Sequence, residues 1–95
     1  MYAVIFKATI NKLDDEYYLT AEQMRELAMT QYNCHEFNSV SEGDKEISIS
    51  YWDSLEQITQ WKSDPQHLIA QERGKNRWYR SYSVQVVEII REYQK

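Results

Sequence analysis

The side chains best suited to chemistry gather late in the chain. His67, Ala70, Gln71, Gly74 and Trp78 fall at helical spacing on one stretch. Two of the five are polar and one is glycine, an odd makeup for a stripe that only faces a core. Gly74 lowers helix propensity by about 1 kcal/mol relative to alanine, so something is expected to approach its backbone closely. His67 is the kind of group that changes charge near neutral pH, although just after Pro65 it can also serve as a local hydrogen-bonding residue. Trp52, Trp61 and Trp78 are read first as anchors of a core or an interface, because large aromatics dominate burial in small domains.

Other reactive residue types offer less. Cys34 reads as a small buried hydrophobe. His35 has no acid or second ligand in the local sequence, so no metal site is expected. Asp14, Asp15 and Glu16 read as helix-capping charge. Arg73, Lys75, Arg77 and Arg80 read as a solvated face with helix C-terminal charge. There is no glycine-rich phosphate loop.

The elements that must carry these residues follow from periodicity. Tyr2 to Ile10 alternates as a strand, with Tyr2, Val4, Phe6, Ala8 and Ile10 on a wholly apolar parity. Leu13, Tyr17, Ala21, Met24, Leu27 and Ala28 form one helix face that should end near Gln31, where Asn33 can take the left-handed turn. Cys34 to Val40 predicts a weaker strand. Ser41 to Asp44 predicts a turn using Gly43, and Ile47, Ile49 and Tyr51 alternate along a third strand. Ser54 and Gln57 resemble a capping box, opening a short helix through Trp61. Asp64 and Pro65 restart the chain as a second helix to about Asn76. Tyr82 to Tyr93 predicts the last strand.

The order is β-α-β-β-α-β with a split second helix. It predicts a ferredoxin-like α+β fold, a four-stranded antiparallel sheet with helices on one face. Ile5, Val87 and Ile89 then leave the other face apolar, and a homodimer packed sheet to sheet would cover it.

Ninety-five residues suit one domain spanning residues 1–95. Eight tyrosines and three tryptophans make it aromatic-rich. A net charge of −4 argues against a general nucleic-acid partner. No leader, membrane span or disulfide pair is visible, which suits a cytoplasmic protein.

The run Ser50-Tyr51-Trp52, then Trp61-Lys62, then His67-Leu68, Ala70-Gln71, Gly74 and Trp78-Tyr79 to Tyr82 resembles the antibiotic biosynthesis monooxygenase domain family. The resemblance extends to Tyr2–Phe6 and to the first helix around Met24 and Leu27. It is closest to the small stand-alone bacterial members. It implies a dimeric α+β barrel with a pocket between helices and sheet. Some members oxidise polycyclic phenols with O₂ and no metal or flavin, the electrons coming from the deprotonated substrate. On that resemblance His67, Trp61 and Gln71 are the catalytic candidates: His67 would take a proton, and Gln71 or Asn11 would hydrogen-bond a substrate oxygen. Trp78, Tyr82 and Asn11 are the substrate-binding candidates, and Arg77 or Arg80 would steady a phenolate. No cofactor and no metal are expected. The chain departs from the pattern at Tyr32, Asn33, Cys34 and Asn38.

Two alternatives stay open. One is a non-catalytic dimeric module that binds a small ligand or serves as an accessory subunit. The weaker one is haem degradation, as in a branch of the superfamily that uses an Asn, a Trp and a ligating His. Trp61 matches that Trp, but the ligand position ten residues on is Gln71.

Overall fold

A computed structural model describes all residues 1–95. The order is β1 (Tyr2–Ile10), α1 (Asp15–Gln31), β2 (Glu36–Glu42), β3 (Lys45–Trp52), α2 (Leu55–Ser63), α3 (Pro65–Arg73), a π-helical turn (Gly74–Trp78) and β4 (Tyr79–Glu88). The four strands form one antiparallel sheet in the order β2-β3-β1-β4. This is the ferredoxin-like plan with its second helix split at Asp64-Pro65. No helix is long and apolar enough to cross a membrane.

Local chemistry explains the boundaries. Asp14 caps α1 by accepting the Tyr17 N–H at 2.9 Å. Asn33 ends that segment with φ 57°, and Gly43 turns the β2–β3 hairpin with φ 59°. Ser54 and Gln57 make the expected capping box at α2. Asp64 caps α3 through the Gln66 N–H at 2.9 Å, with Pro65 in the first turn.

Three boundaries differ from the sequence expectation. β2 starts at Glu36, because Cys34 leaves α1 by donating its N–H back to the Ala28 carbonyl. α3 stops at Arg73, where the chain widens into the π turn. β4 runs Tyr79–Glu88, earlier than Tyr82–Tyr93, because its only partner is β1. The Ile89 N–H still reaches the Met1 carbonyl, and beyond it there is no strand left to pair with.

Register decides which side chains meet the helices, since residues directly opposite one another share a face. Val4 lies opposite Ser50 and Val86, and Ala8 lies opposite Glu46 and Tyr82. The helix side of β3 is therefore Glu46, Ser48, Ser50 and Trp52. The apolar parity of β3, Ile47, Ile49 and Tyr51, lies on the open side with Ala3, Ile5 and Val87. The core joins Val4, Trp52 and Cys34 to Met24 and Ala28 of α1 and to Ile58 and Trp61 of α2. Thr20 takes the buried place on α1 expected for Ala21, which is exposed.

Gly74 is small for a reason internal to the fold. A Cβ there would stand 3.1 Å from two ring carbons of Tyr79. That ring is held by the hydroxyl's bond to Glu46, so it has little room to retreat. Gly74→Ala is therefore expected to destabilise the chain by about 1–2 kcal/mol despite alanine's helix propensity. Urea unfolding checks this, and an alanine variant as stable as the parent would contradict it.

Candidate functional site

α3 places His67 and Gln71 one turn apart, and α2 places Trp61 beside them. The Gln71 Nε2 donates to the Lys62 carbonyl at 2.9 Å and stands 2.8 Å from His67 Nδ1. The Lys62 carbonyl can only accept, so that amide atom is the nitrogen. It follows that Nδ1 accepts and that the ring proton sits on Nε2. Burial lowers the His67 pKa to about 4, helped by the Lys62 charge and opposed by its own backbone hydrogen bond and by Asp64. His67 is thus a neutral hydrogen-bond donor at neutral pH, in place of the proton acceptor expected from its type.

Trp61 meets His67 edge to face, with ring centres 4.3 Å apart. Its indole N–H donates to the Met24 carbonyl at 3.3 Å, and its ring packs on Trp52 and Phe37. It walls one side of His67 while anchoring α2 to α1.

Trp78, Asn11 and Tyr82 lie apart from that trio, at the other end of β1. Trp78 is buried, and its indole N–H donates to Asp14 Oδ1 at 3.1 Å. Asn11 donates its side-chain N–H to the Arg77 carbonyl at 3.3 Å and its backbone N–H to the Trp78 carbonyl at 2.8 Å. Both residues fasten the π turn to the start of α1. Arg77 is committed as well, pairing with Glu16 at 3.2 Å, and Arg73 pairs with the same carboxylate at 2.6 Å. The basic run is therefore partly a tether. His35 also finds an acid that local sequence hid: Asp53 lies 2.7 Å from its Nε2.

Tyr82 is 45% exposed and stacks on Phe6 with ring centres 5.8 Å apart. Val84 and Val86 continue this uncovered strip along the helix side of β4. The strip stays open because α3 buries none of its own residues and packs mainly on α1, α2 and the π turn. A cavity of about 420 Å³ opens where β1, β3 and β4 run side by side, lined by Lys7, Thr9, Lys45 and Ser81 among others. None of Trp61, His67 or Trp78 lines it.

Residues that sequence reasoning passed over stand beside the Tyr82 strip. Glu46 is only 6% exposed. It accepts hydrogen bonds from Tyr17 of α1 and from Tyr79, the latter at 2.8 Å. Burial pushes its carboxyl above the ordinary range, and the Tyr79 bond pulls it back less. Burial, then the Glu46 charge and hydrogen bond, push the Tyr79 phenol up. The available signal was parity: Glu46 shares its side of β3 with Trp52. No group of three His, Cys, Asp or Glu side chains is arranged to hold a metal ion.

No protein-family profile matches the chain. Uncharacterised protein YqjZ of Bacillus subtilis (strain 168) is 40% identical over 92 residues, covering 96% of this chain and 81% of YqjZ. The chain belongs to the YqjZ family. Solved structures show that this YqjZ-family chain has the antibiotic biosynthesis monooxygenase fold. SnoaB, a cofactor-independent oxygenase from Streptomyces nogalater, superposes with a TM-score of 0.82 at 8% identity, over 99% of this chain and 97% of SnoaB. A structure described as antibiotic biosynthesis monooxygenase gives 0.68 at 11% identity, over 96% of this chain and all of that one. Rv0793 from Mycobacterium tuberculosis gives 0.70 at 13% identity, over 98% of each chain.

The His67 geometry carries a pH signature in the YqjZ-family chain. Its folded pKa of about 4 lies below the ordinary 6.5. In that window the unfolded chain holds a proton that the folded chain refuses. The contribution is complete above the window and is lost as pH falls through it. Relative to His67→Asn, the parent should lose on the order of 2 kcal/mol between neutral pH and about pH 4. Parallel unfolding curves for the two proteins across that range would contradict this.

Proposed function

We propose that the chain is a cofactor-independent monooxygenase acting on a small phenol or quinol-type aromatic with O₂. In such a reaction the phenol loses two hydrogens and gains one oxygen atom as a quinone, and the other oxygen atom leaves as water. The substrate supplies the electrons, so the protein's task is to hold the ring, settle its charge and exclude water.

The observation that carries this reading is the held imidazole. Gln71 fixes His67 as a neutral donor whose Nε2–H is not spent on Gln71. A fixed donor of that kind suits an anionic phenolate oxygen. In this reading Trp61 positions the imidazole, and the uncovered strip of Phe6, Tyr82, Val84 and Val86 is a separate apolar surface open to an aromatic ring. The fold shared with SnoaB supports the same chemistry by analogy alone. Asn11, Trp78 and Arg77 are assigned to holding the π turn.

The working unit in this proposal is a homodimer closed over the open sheet face. Ala3, Ile5, Ile47, Ile49, Tyr51 and Val87 give that face an apolar half, and Ile47 is 38% exposed. The unpaired thiol of Cys34 supports a reducing compartment such as the cytoplasm.

A second reading, a dimeric module that binds a small ligand without turnover, is favoured by one fact. The indole N–H groups of Trp61 and Trp78 are both spent inside the fold. Oxygen uptake with a panel of hydroquinones, naphthols and anthrols separates the two. The oxygenase predicts uptake that falls about 10²-fold or more in His67→Ala, with the far-ultraviolet spectrum unchanged. Binding without uptake across the panel selects the second reading. Haem degradation remains the weaker alternative. There, a Soret shift that survives His67→Ala removes His67 as the iron ligand.

A further inference from the structure

Glu46 is a carboxyl buried to 6% exposure, with no cation beside it. Lys45, its sequence neighbour, points to the other face and bonds Thr9 at 3.0 Å. Ala8 and Tyr82 flank it across the sheet. The only polar groups on its oxygens are the hydroxyls of Tyr17 and Tyr79. Taking a carboxylate out of water is unfavourable when no cation accompanies it.

The two phenols differ in what lies next to them. Tyr17 packs its ring edge on Trp78 and on Tyr79. Tyr79 borders the open strip, with ring centres 5.3 Å from Phe6 and 6.4 Å from Tyr82. Its hydroxyl donates its single proton to Glu46, and the oxygen keeps lone-pair capacity for a further donor. That donor would arrive from the Phe6–Tyr82 side.

We propose that Glu46, reached through the Tyr79 hydroxyl, is the proton acceptor for a phenolic ligand lying on Phe6 and Tyr82. The ligand O–H passes its proton to the Tyr79 oxygen as Tyr79 passes its own to Glu46 Oε2. One O–H bond breaks on the ligand and one forms on Glu46. Tyr79 ends as it began, and the ligand becomes a phenolate. The step needs no oxidant. It rests on the phenol reading above and supplies the base that neutral His67 does not provide.

Para-nitrophenol tests this, because only its ionised form absorbs in the visible. The dye is titrated with the full chain at a pH where free dye is mostly neutral. Para-nitroanisole, which has no proton to give, controls for binding alone. The parent should bind both and show the phenolate band with the phenol only. Glu46→Gln keeps the size and the acceptor oxygen. It should bind the dye within about threefold of the parent and lose the band about tenfold. Tyr79→Phe, which leaves the carboxylate in place, should lose the band as well. Circular dichroism confirms that each variant is folded. A band that persists in Glu46→Gln, or bound dye that stays neutral in the parent, overturns the base and leaves the phenol site standing. A band lost in Glu46→Gln but kept in Tyr79→Phe overturns the relay. Failure of the parent to bind either compound overturns the phenol site and the base together.

Discussion

The carboxylate of Glu46, held by two tyrosine hydroxyls, is the constraint around which this end of the molecule is arranged. It joins three elements: Tyr17 brings α1, Glu46 belongs to β3, and Tyr79 opens β4. Neighbouring features serve the same joint. Gly74 leaves space for the Tyr79 ring. The π turn sets Trp78 against Asp14, and Asp14 also caps α1. Arg73 and Arg77 clamp the turn to Glu16. A buried acid is an expensive hinge pin, and a site that needs an acid is a good reason to retain one.

The fold was legible because its patterns were local. The apolar parity of β1, the Asp14 cap, the Ser54–Gln57 box and the Asp64-Pro65 restart all act within a few residues. β3 shows where local pattern misleads. Its apolar alternation is real, yet Ile47, Ile49 and Tyr51 lie on the open face while Glu46, Ser48 and Ser50 meet the helices. Trp52 alone anchors that parity to the core. The end of β4 was equally out of reach, because it depends on where β1 begins.

The site was legible in part, for the same reason. His67 and Gln71 are one helical turn apart, so spacing alone predicts that they meet. Their chemistry was not visible, since the Lys62 carbonyl that orients Gln71 comes from another helix. Asn11, Trp78 and Arg77 looked available because their partners lie across the fold. Glu46 drew no notice in the sequence for the same reason: the two phenols that enclose it come from Tyr17 and Tyr79, 29 and 33 residues away.

Two separate places on the helix side of the sheet have different protonic roles. Near Trp61, His67 offers a fixed hydrogen-bond donor. Near Tyr79, Glu46 offers an acceptor. The proton-acceptor role depends on Glu46 being a desolvated acid in the resting protein, and carbon-13 NMR titration of the glutamate carboxyls reads that directly. One carboxyl, absent from the spectrum of Glu46→Gln, is expected to titrate above the other glutamates, in the direction that burial imposes. A Glu46 signal that titrates with the exposed glutamates, or below them, would contradict it.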